Sequence, residues 1–221
     1  KIHLYISLSN DNSLISLLNQ KCNTLKEQIQ ALANTYFDEV IGLRRHIHAN
    51  PELSFHEVET GKFIAGKLKE WGIPHEHGVA DNGVVGLIEG KKPGNKVVAL
   101  RADIDALPIA EANEVPYKSK NEGVMHACGH DVHSSSLLGT AKILNELKDN
   151  FAGTIKLIFQ PAEEMLPGGA SIMIKEGVLE NPSPTSIFGQ HVHPPLQVGK
   201  VGFRPGMYMA STDELYMTVT G

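Results

Sequence analysis

Apolar residues recur at intervals of three and four from Lys26 onward: Ile29, Leu32, Tyr36, Val40, Leu43 and Ile47 form one stripe, the pattern of an amphipathic helix. Asn50-Pro51 predicts its end, because a residue that precedes proline avoids helical geometry. A second helix is expected over His56–Trp71, with Val58, Ile64, Leu68 and Trp71 on one side and Gly72 and Pro74 as stop signals. The period then changes. GVVGLIEG (Gly83–Gly90) and KVVALRADID (Lys96–Asp105) are short Val/Leu-rich runs separated by the turn-forming KKPGN, so the pattern predicts two paired strands.

Further on, Leu137, Leu138, Ala141, Leu144 and Leu147 predict a helix over Ser134–Leu147. GTIKLIFQ (Gly153–Gln160) has the continuous apolar character of a buried strand, Gly169–Glu176 of a short helix, and SIFGQHV (Ser186–Val192) of another strand. GKVGFRPG (Gly199–Gly206) and ELYMTVTG (Glu214–Gly221) are expected to be strands as well. Alternating strands and helices predict an α/β fold with a mixed sheet flanked by helices. Polar clusters follow the strand runs: RADID after VVAL, PAEE after IKLIFQ, HVHP after SIFGQ. In open α/β sheets ligands bind beyond the carboxyl ends of the strands, so these distant segments are expected to converge there.

Composition narrows the chemistry. A chain of 221 residues with 41% hydrophobic residues builds a real core, and a net charge of −5 without a Lys/Arg-rich run argues against nucleic acid or an anionic membrane surface as partner. No run approaches the ~20 apolar residues of a membrane span. Two cysteines, Cys22 and Cys128, and no CxxC pattern fit a reducing, cytoplasmic setting better than a disulfide framework. Residues 1–25 make a poor signal peptide, because Asn and Ser interrupt their apolar positions; they are taken as an extension of unknown role.

HACGHDVH, His126 to His133, concentrates three histidines, a cysteine and an aspartate in eight positions. Thiolate, imidazole and carboxylate form the donor set of zinc and related divalent ions. Cys128 and His130 stand two apart, where an extended or irregular loop turns both toward one ion, and Glu164 and His191 follow from later strand ends. A solitary histidine is usually a surface or satisfied core residue, yet His126, His130, His133, His191 and His193 all lie in loop-like contexts. A reactive Cys128 activated by a neighbouring histidine is the competing interpretation; it leaves the adjacent carboxylates Glu163 and Glu164 without a task. With a metal, one of the two acids is a ligand and the other is free to take a proton from water. Asp103 and Asp105 suit the orientation of a histidine ligand through its second nitrogen, although an aspartate turn before Pro108 accounts for Asp103 nearly as well.

RRHIHANPELSFHE, LRADIDALP, HACGHDVH, FQPAEE and FGQHVHP, in this order, resemble the successive motifs of the M20 metallopeptidase family, and within it the amidohydrolase branch of hippurate hydrolases, N-acyl-amino-acid deacylases and indole-acetyl-amino-acid hydrolases. The resemblance runs from about Ala31 to the C-terminus. It implies an aminopeptidase-like α/β catalytic domain over residues 26–211, a lid or dimerisation domain begun at 212–221, and a homodimer once that lid is complete. It also implies two divalent ions (zinc, manganese, cobalt or nickel), with Cys128 as the bridging ligand and His130, Glu164 and His191 as further ligands. Glu163 resembles the general base and Asp105 the carboxylate that steadies the metal-site histidine; His193 is left unassigned. The implied reaction is metal-assisted hydrolysis of the amide bond of small N-acyl amino acids. The last ligand histidine and most of the lid have no counterpart before Gly221, so an inactive metal-binding fragment is the alternative, and a cysteine-nucleophile hydrolase a weaker one.

Overall fold

The computed structural model describes residues 24–207, 215 and 217–220. The chain divides into two units, Lys1–His191 and Val192–Gly221. The first unit contains α1 (Leu25–Thr35), α2 (Phe37–Ala49), α3 (Val58–Glu70), β1 (His75–Val79), β2 (Gly83–Glu89), β3 (Lys92–Asp103), α4 (His130–Glu146), a 3-10 turn (Lys148–Asn150), β4 (Ala152–Gln160), α5 (Gly169–Lys175) and β5 (Ser186–Gly189). Among its described residues the second unit is irregular, with single turns closed by Leu196 N–H to His193 O and Lys200 N–H to Gln197 O. The strand expected over Gly199–Gly206 is therefore absent; of the one expected over Glu214–Gly221, Leu215 and residues 217–220 are described and form no strand, while the other three residues lie outside the described ones. No helix among the described residues is long and apolar enough to cross a membrane.

The single long helix expected from Lys26 is two helices, interrupted at Tyr36. Thr24 caps the first with a capping box: its hydroxyl accepts from Glu27 N–H, while the Glu27 carboxylate accepts from Thr24 N–H at 2.7 Å. α1 buries none of its residues, whereas α2 buries Leu43, Ile47, His48 and Ala49. Only the second half of the stripe reaches the core.

The sheet has the order β1-β2-β4-β3-β5. β3 runs parallel to both β4 and β5, and β2 runs antiparallel to β4 and to β1. The expected pairing of β2 with β3 is thus corrected: β4 lies between them. KKPGN does not close a hairpin; most of it opens β3, where Lys92 pairs with Ala152 before a register shift leads to Val97 opposite Thr154. β4 takes the central place because both its faces are apolar. Leu157 and Phe159 join the cluster of Leu43, Ile47, Ile64, Leu68, Leu137, Leu138 and Ala141, while Ile158 joins Ala99, Met173 and Val178 on the other side. Helices α2, α3 and α4 thus cover one face and α5 the other. β1 escaped the sequence reading because HEHGV is mostly polar, as an exposed edge strand is free to be.

Leu138 on α4 is fully buried, whereas Leu25 on α1 is more than a third exposed. Leu138→Ala is expected to lower unfolding free energy by about 2–5 kcal/mol in denaturant titrations, and Leu25→Ala by well under 1 kcal/mol. Equal costs would contradict this assignment of the core.

Candidate metal centre

Parallel pairing sets the last residues of β3, β4 and β5 along one edge. Asp103 sits opposite Gln160, and Gly189 opposite Arg101. Each strand then releases a polar segment: Ile104-Asp105, Pro161–Glu164 and Gln190-His191. The fourth contribution is α4, whose first residue is His130. Helix α4 begins four residues before the periodicity predicted, because His130, Asp131, His133 and Ser134 are all buried polar residues that break the apolar pattern. Half of HACGHDVH is therefore helix rather than the expected loop, and Gly129 makes the entry possible with φ 95°, a left-handed conformation natural to glycine. The Ser134 hydroxyl donates to the Asp103 carbonyl at 2.6 Å and pins the helix start to the strand end. On the other side of that start, Arg44 and His48 of α2 hold Asp131 at 2.8 and 2.7 Å.

The expected residues come together. Cys128 Sγ lies 3.4 Å from His191 Nε2. His130 Nε2 lies 3.6 Å from Glu164 Oε1, 3.6 Å from Asp103 Oδ2 and 3.9 Å from Glu163 Oε2. His130 donates its Nδ1–H to Asp105, whose backbone oxygen is at 2.9 Å and Oδ1 at 3.1 Å. Asp105 Oδ2 accepts from the Ser54 hydroxyl at 2.6 Å and from Glu164 N–H at 3.0 Å. Three overlapping sets, Cys128/His130/His191, Asp103/His130/His133 and His130/Glu163/Glu164, each bring their ligand atoms within 4.8 Å of one another.

A divalent ion fits this arrangement. His130 Nε2 and Glu164 Oε1 are both buried and without a hydrogen-bond partner, a costly condition for polar atoms. At 3.6 Å they are too far apart to bond each other. The spacing instead matches two donors on one ion: atoms each about 2.1 Å from a tetrahedral centre are about 3.4 Å apart.

Two further residues take part: Asp103, which the sequence left between an orienting carboxylate and a turn residue, and His133, to which it gave no role. His133 Nδ1 lies 2.7 Å from Asp103 Oδ1, and its ring packs edge-on against His191 with centroids 4.6 Å apart. Asp103 is also clamped by Arg101 at 2.7 Å, so it is no mere turn residue. The available signal for His133 was its spacing of three from His130, which places both on one helix face once the helix is known to start at His130. His126 lies apart from these sets; it is buried without a hydrogen-bond partner on either ring nitrogen, and burial lowers its pKa to about 4.

The electrostatics follow from crowding carboxylates against a wall of low polarity. Burial pushes the Cys128 thiol up to about 12, assisted by Glu164, Glu163 and Asp103. Burial, then Glu164, raises the carboxyl of Glu163. Burial favours protonation of Asp105 too, but the bonds from His130, Ser54 and the amides of Glu164 and Glu163 outweigh it and hold the group at about 2. A thiol raised in this way is a poor free nucleophile at neutral pH. The same negative surroundings favour a bound cation that keeps the sulfur deprotonated.

Residues 99–219 match the model of peptidase family M20/M25/M40, and the chain belongs to this family. It is 44% identical over 196 residues to the N-acyl-L-amino acid amidohydrolase of Geobacillus stearothermophilus, which covers 89% of this chain and 52% of that protein. It is 42% identical over 214 residues to the IAA-amino acid hydrolase ILR1-like 5 of Arabidopsis thaliana, covering 96% of this chain and 48% of the relative. Among solved structures, the YXEP protein of Bacillus subtilis, described as a dinuclear metal binding peptidase from the M20 family, superposes with a TM-score of 0.70 at 45% identity, over 75% of this chain and 46% of its own. The chain thus spans about half the length of the curated relatives it matches.

Asp105→Asn keeps the volume but turns an amide donor toward Ser54 or His130. It is expected to weaken Zn²⁺ binding by about 10–100-fold in chelator competition, the usual cost of disturbing a group behind a metal ligand. Wild-type affinity in this variant would remove Asp105 from the centre.

Proposed function

We propose that the full-length protein is a metal-dependent amidohydrolase that cleaves the amide bond of small N-acyl amino acids. Cys128, His130, Glu164 and His191 would hold two divalent ions. The observation that carries this reading is the pair of buried, unpartnered donors, His130 Nε2 and Glu164 Oε1, facing each other beside Cys128 and Glu163. Thiolate with imidazole suits zinc; a carboxylate-rich dinuclear set also takes manganese, cobalt or nickel. Such ions supply Lewis acidity, polarising a carbonyl and lowering the pKa of water.

The remaining chemistry belongs to the side chains. Glu163 is more exposed than Glu164, at 41% against 24% of the side chain, so it faces the open side where a substrate arrives. Its raised pKa makes it a better proton acceptor than an ordinary glutamate. It takes the proton from the attacking water and delivers it to the amine nitrogen as the C–N bond breaks. Asp105 keeps His130 in the tautomer that presents Nε2 as a donor to an ion. Support for the substrate class comes from relatives named for N-acyl-L-amino acids, N-acetyl-L-cysteine and IAA-amino acids.

The test is an assay of the purified full-length protein on N-acetyl, N-benzoyl and indole-acetyl amino acids, with metal content measured alongside. Glu163→Gln is expected to keep its metal and lose at least ~10²-fold in kcat, while Glu164→Gln loses metal. Undiminished turnover in Glu163→Gln would exclude it as the base. Full activity after chelation, abolished by alkylation of Cys128, would replace this mechanism with a cysteine nucleophile.

A further inference from the structure

The motif RRHIHANPELSFHE contributes no ligand, yet its last residue is a glutamate with no exposed surface. Glu57 is the N-cap of α3, where an acidic side chain ordinarily accepts from the first amides of its own helix. It makes no such bond. Its carboxylate instead reaches across 105 positions of sequence to accept the N–H of Ala162 at 2.6 Å, and its other oxygen accepts from Asn82 Nδ2 at 3.3 Å. Burial raises its pKa, a cost that local capping in solvent would have avoided.

Ala162 is an unusual place to receive such a bond. It is fully buried and has φ 47°, a left-handed conformation that strains a residue with a Cβ and persists only where its surroundings enforce it. Its N–H is held by Glu57 and its carbonyl by Gly169 N–H at 2.8 Å. Gly169 itself allows no side chain, because a Cβ there would stand 1.9 Å from the Pro161 oxygen. The next two residues are Glu163 and Glu164, and Glu164 N–H is fixed in turn by Asp105. Ser54, three residues before Glu57, supplies the hydroxyl that holds that same Asp105.

We propose that Glu57 is a positioning residue of the metal centre, which aims Glu163 and Glu164 by holding the Ala162 amide in its left-handed conformation. The proposal rests on the reading of Glu163 and Glu164 as base and ligand. It assigns to the first motif a task at the site: Ser54 steadies Asp105, and Glu57 steadies the turn that carries both glutamates. What matters at position 57 is an acceptor oxygen at the right reach.

Three variants of the full-length protein separate reach from charge, with Zn²⁺ affinity by chelator competition, kcat and KM, and thermal melting as readouts. Glu57→Gln keeps reach and an acceptor, and is expected to stay within about 3-fold of wild type in Zn²⁺ affinity and kcat. Glu57→Asp keeps the charge but falls one methylene short; it is expected to lose about 10–100-fold in Zn²⁺ affinity and in kcat, with KM little changed. Glu57→Met removes the acceptor at similar length, should behave like Glu57→Asp, and carries the test if the aspartate variant does not fold. A folded Asp or Met variant with wild-type Zn²⁺ affinity and kcat overturns the proposal. So does a Gln variant as impaired as the Asp variant, which would make the charge the essential feature. If the wild type hydrolyses no N-acyl amino acid, the Zn²⁺ measurements still decide the role of Glu57, so the two failures are distinguishable.

Discussion

The parallel ladder between β3 and β4 is the constraint on which the site depends. Once Val97 to Asp103 lie in register with Thr154 to Gln160, the segments that follow must leave the sheet at the same edge. Asp105 and Glu164 then meet, although 59 residues separate them, and Glu164 N–H bonds the Asp105 carboxylate. α4 returns from that edge and buries Leu137, Leu138 and Ala141 against the sheet, which fixes His130 and His133 at its opposite, polar end. A slip of one residue in either strand would send each side chain to the opposite face, so the packing of Leu157 and Phe159 on one side and Ile158 on the other protects the site geometry as well as the core.

Around that edge the protein maintains an arrangement with an evident electrostatic cost. Asp103, Asp105, Glu163 and Glu164 crowd together, and the thiol of Cys128 is raised to about 12 by burial and by these neighbours. Hydrogen bonds relieve part of the repulsion: Arg101 and His133 satisfy Asp103, while Ser54, His130 and Glu164 N–H satisfy Asp105. His130 Nε2 and Glu164 Oε1 are left unmatched. Fully satisfied supporting groups around unsatisfied central ones are the pattern expected where a cation completes the set.

Much of this was legible in the chain. Continuously apolar segments such as Gly153–Gln160 identified their own elements, and the ligand-type residues stood out because cysteine, histidine and paired glutamates lay in polar segments around the strand ends. What remained hidden has physical causes. The break at Tyr36 leaves the apolar stripe intact, so periodicity alone cannot see it. The order of β2, β4 and β3 depends on which strand is apolar on both faces, a property that emerges only when the helices choose their sides. His133 was obscured by a helix start built from buried polar residues, and nothing local in the sequence links Glu57 to its partner Ala162, 105 positions away. The irregular Gly199–Gly206 segment shows the converse: valine and phenylalanine with no neighbouring strand do not make a strand by themselves.

The central claim, that Cys128 serves as a metal ligand beside His130 and not as a free thiol, is tested most directly by X-ray absorption at the zinc edge of the Zn²⁺-loaded full-length protein. The account predicts a sulfur scatterer at about 2.3 Å together with nitrogen and oxygen scatterers at about 2.0–2.2 Å, the sulfur shell vanishing in Cys128→Ser. A wild-type spectrum with nitrogen and oxygen alone, or a sulfur shell that survives Cys128→Ser, would contradict it.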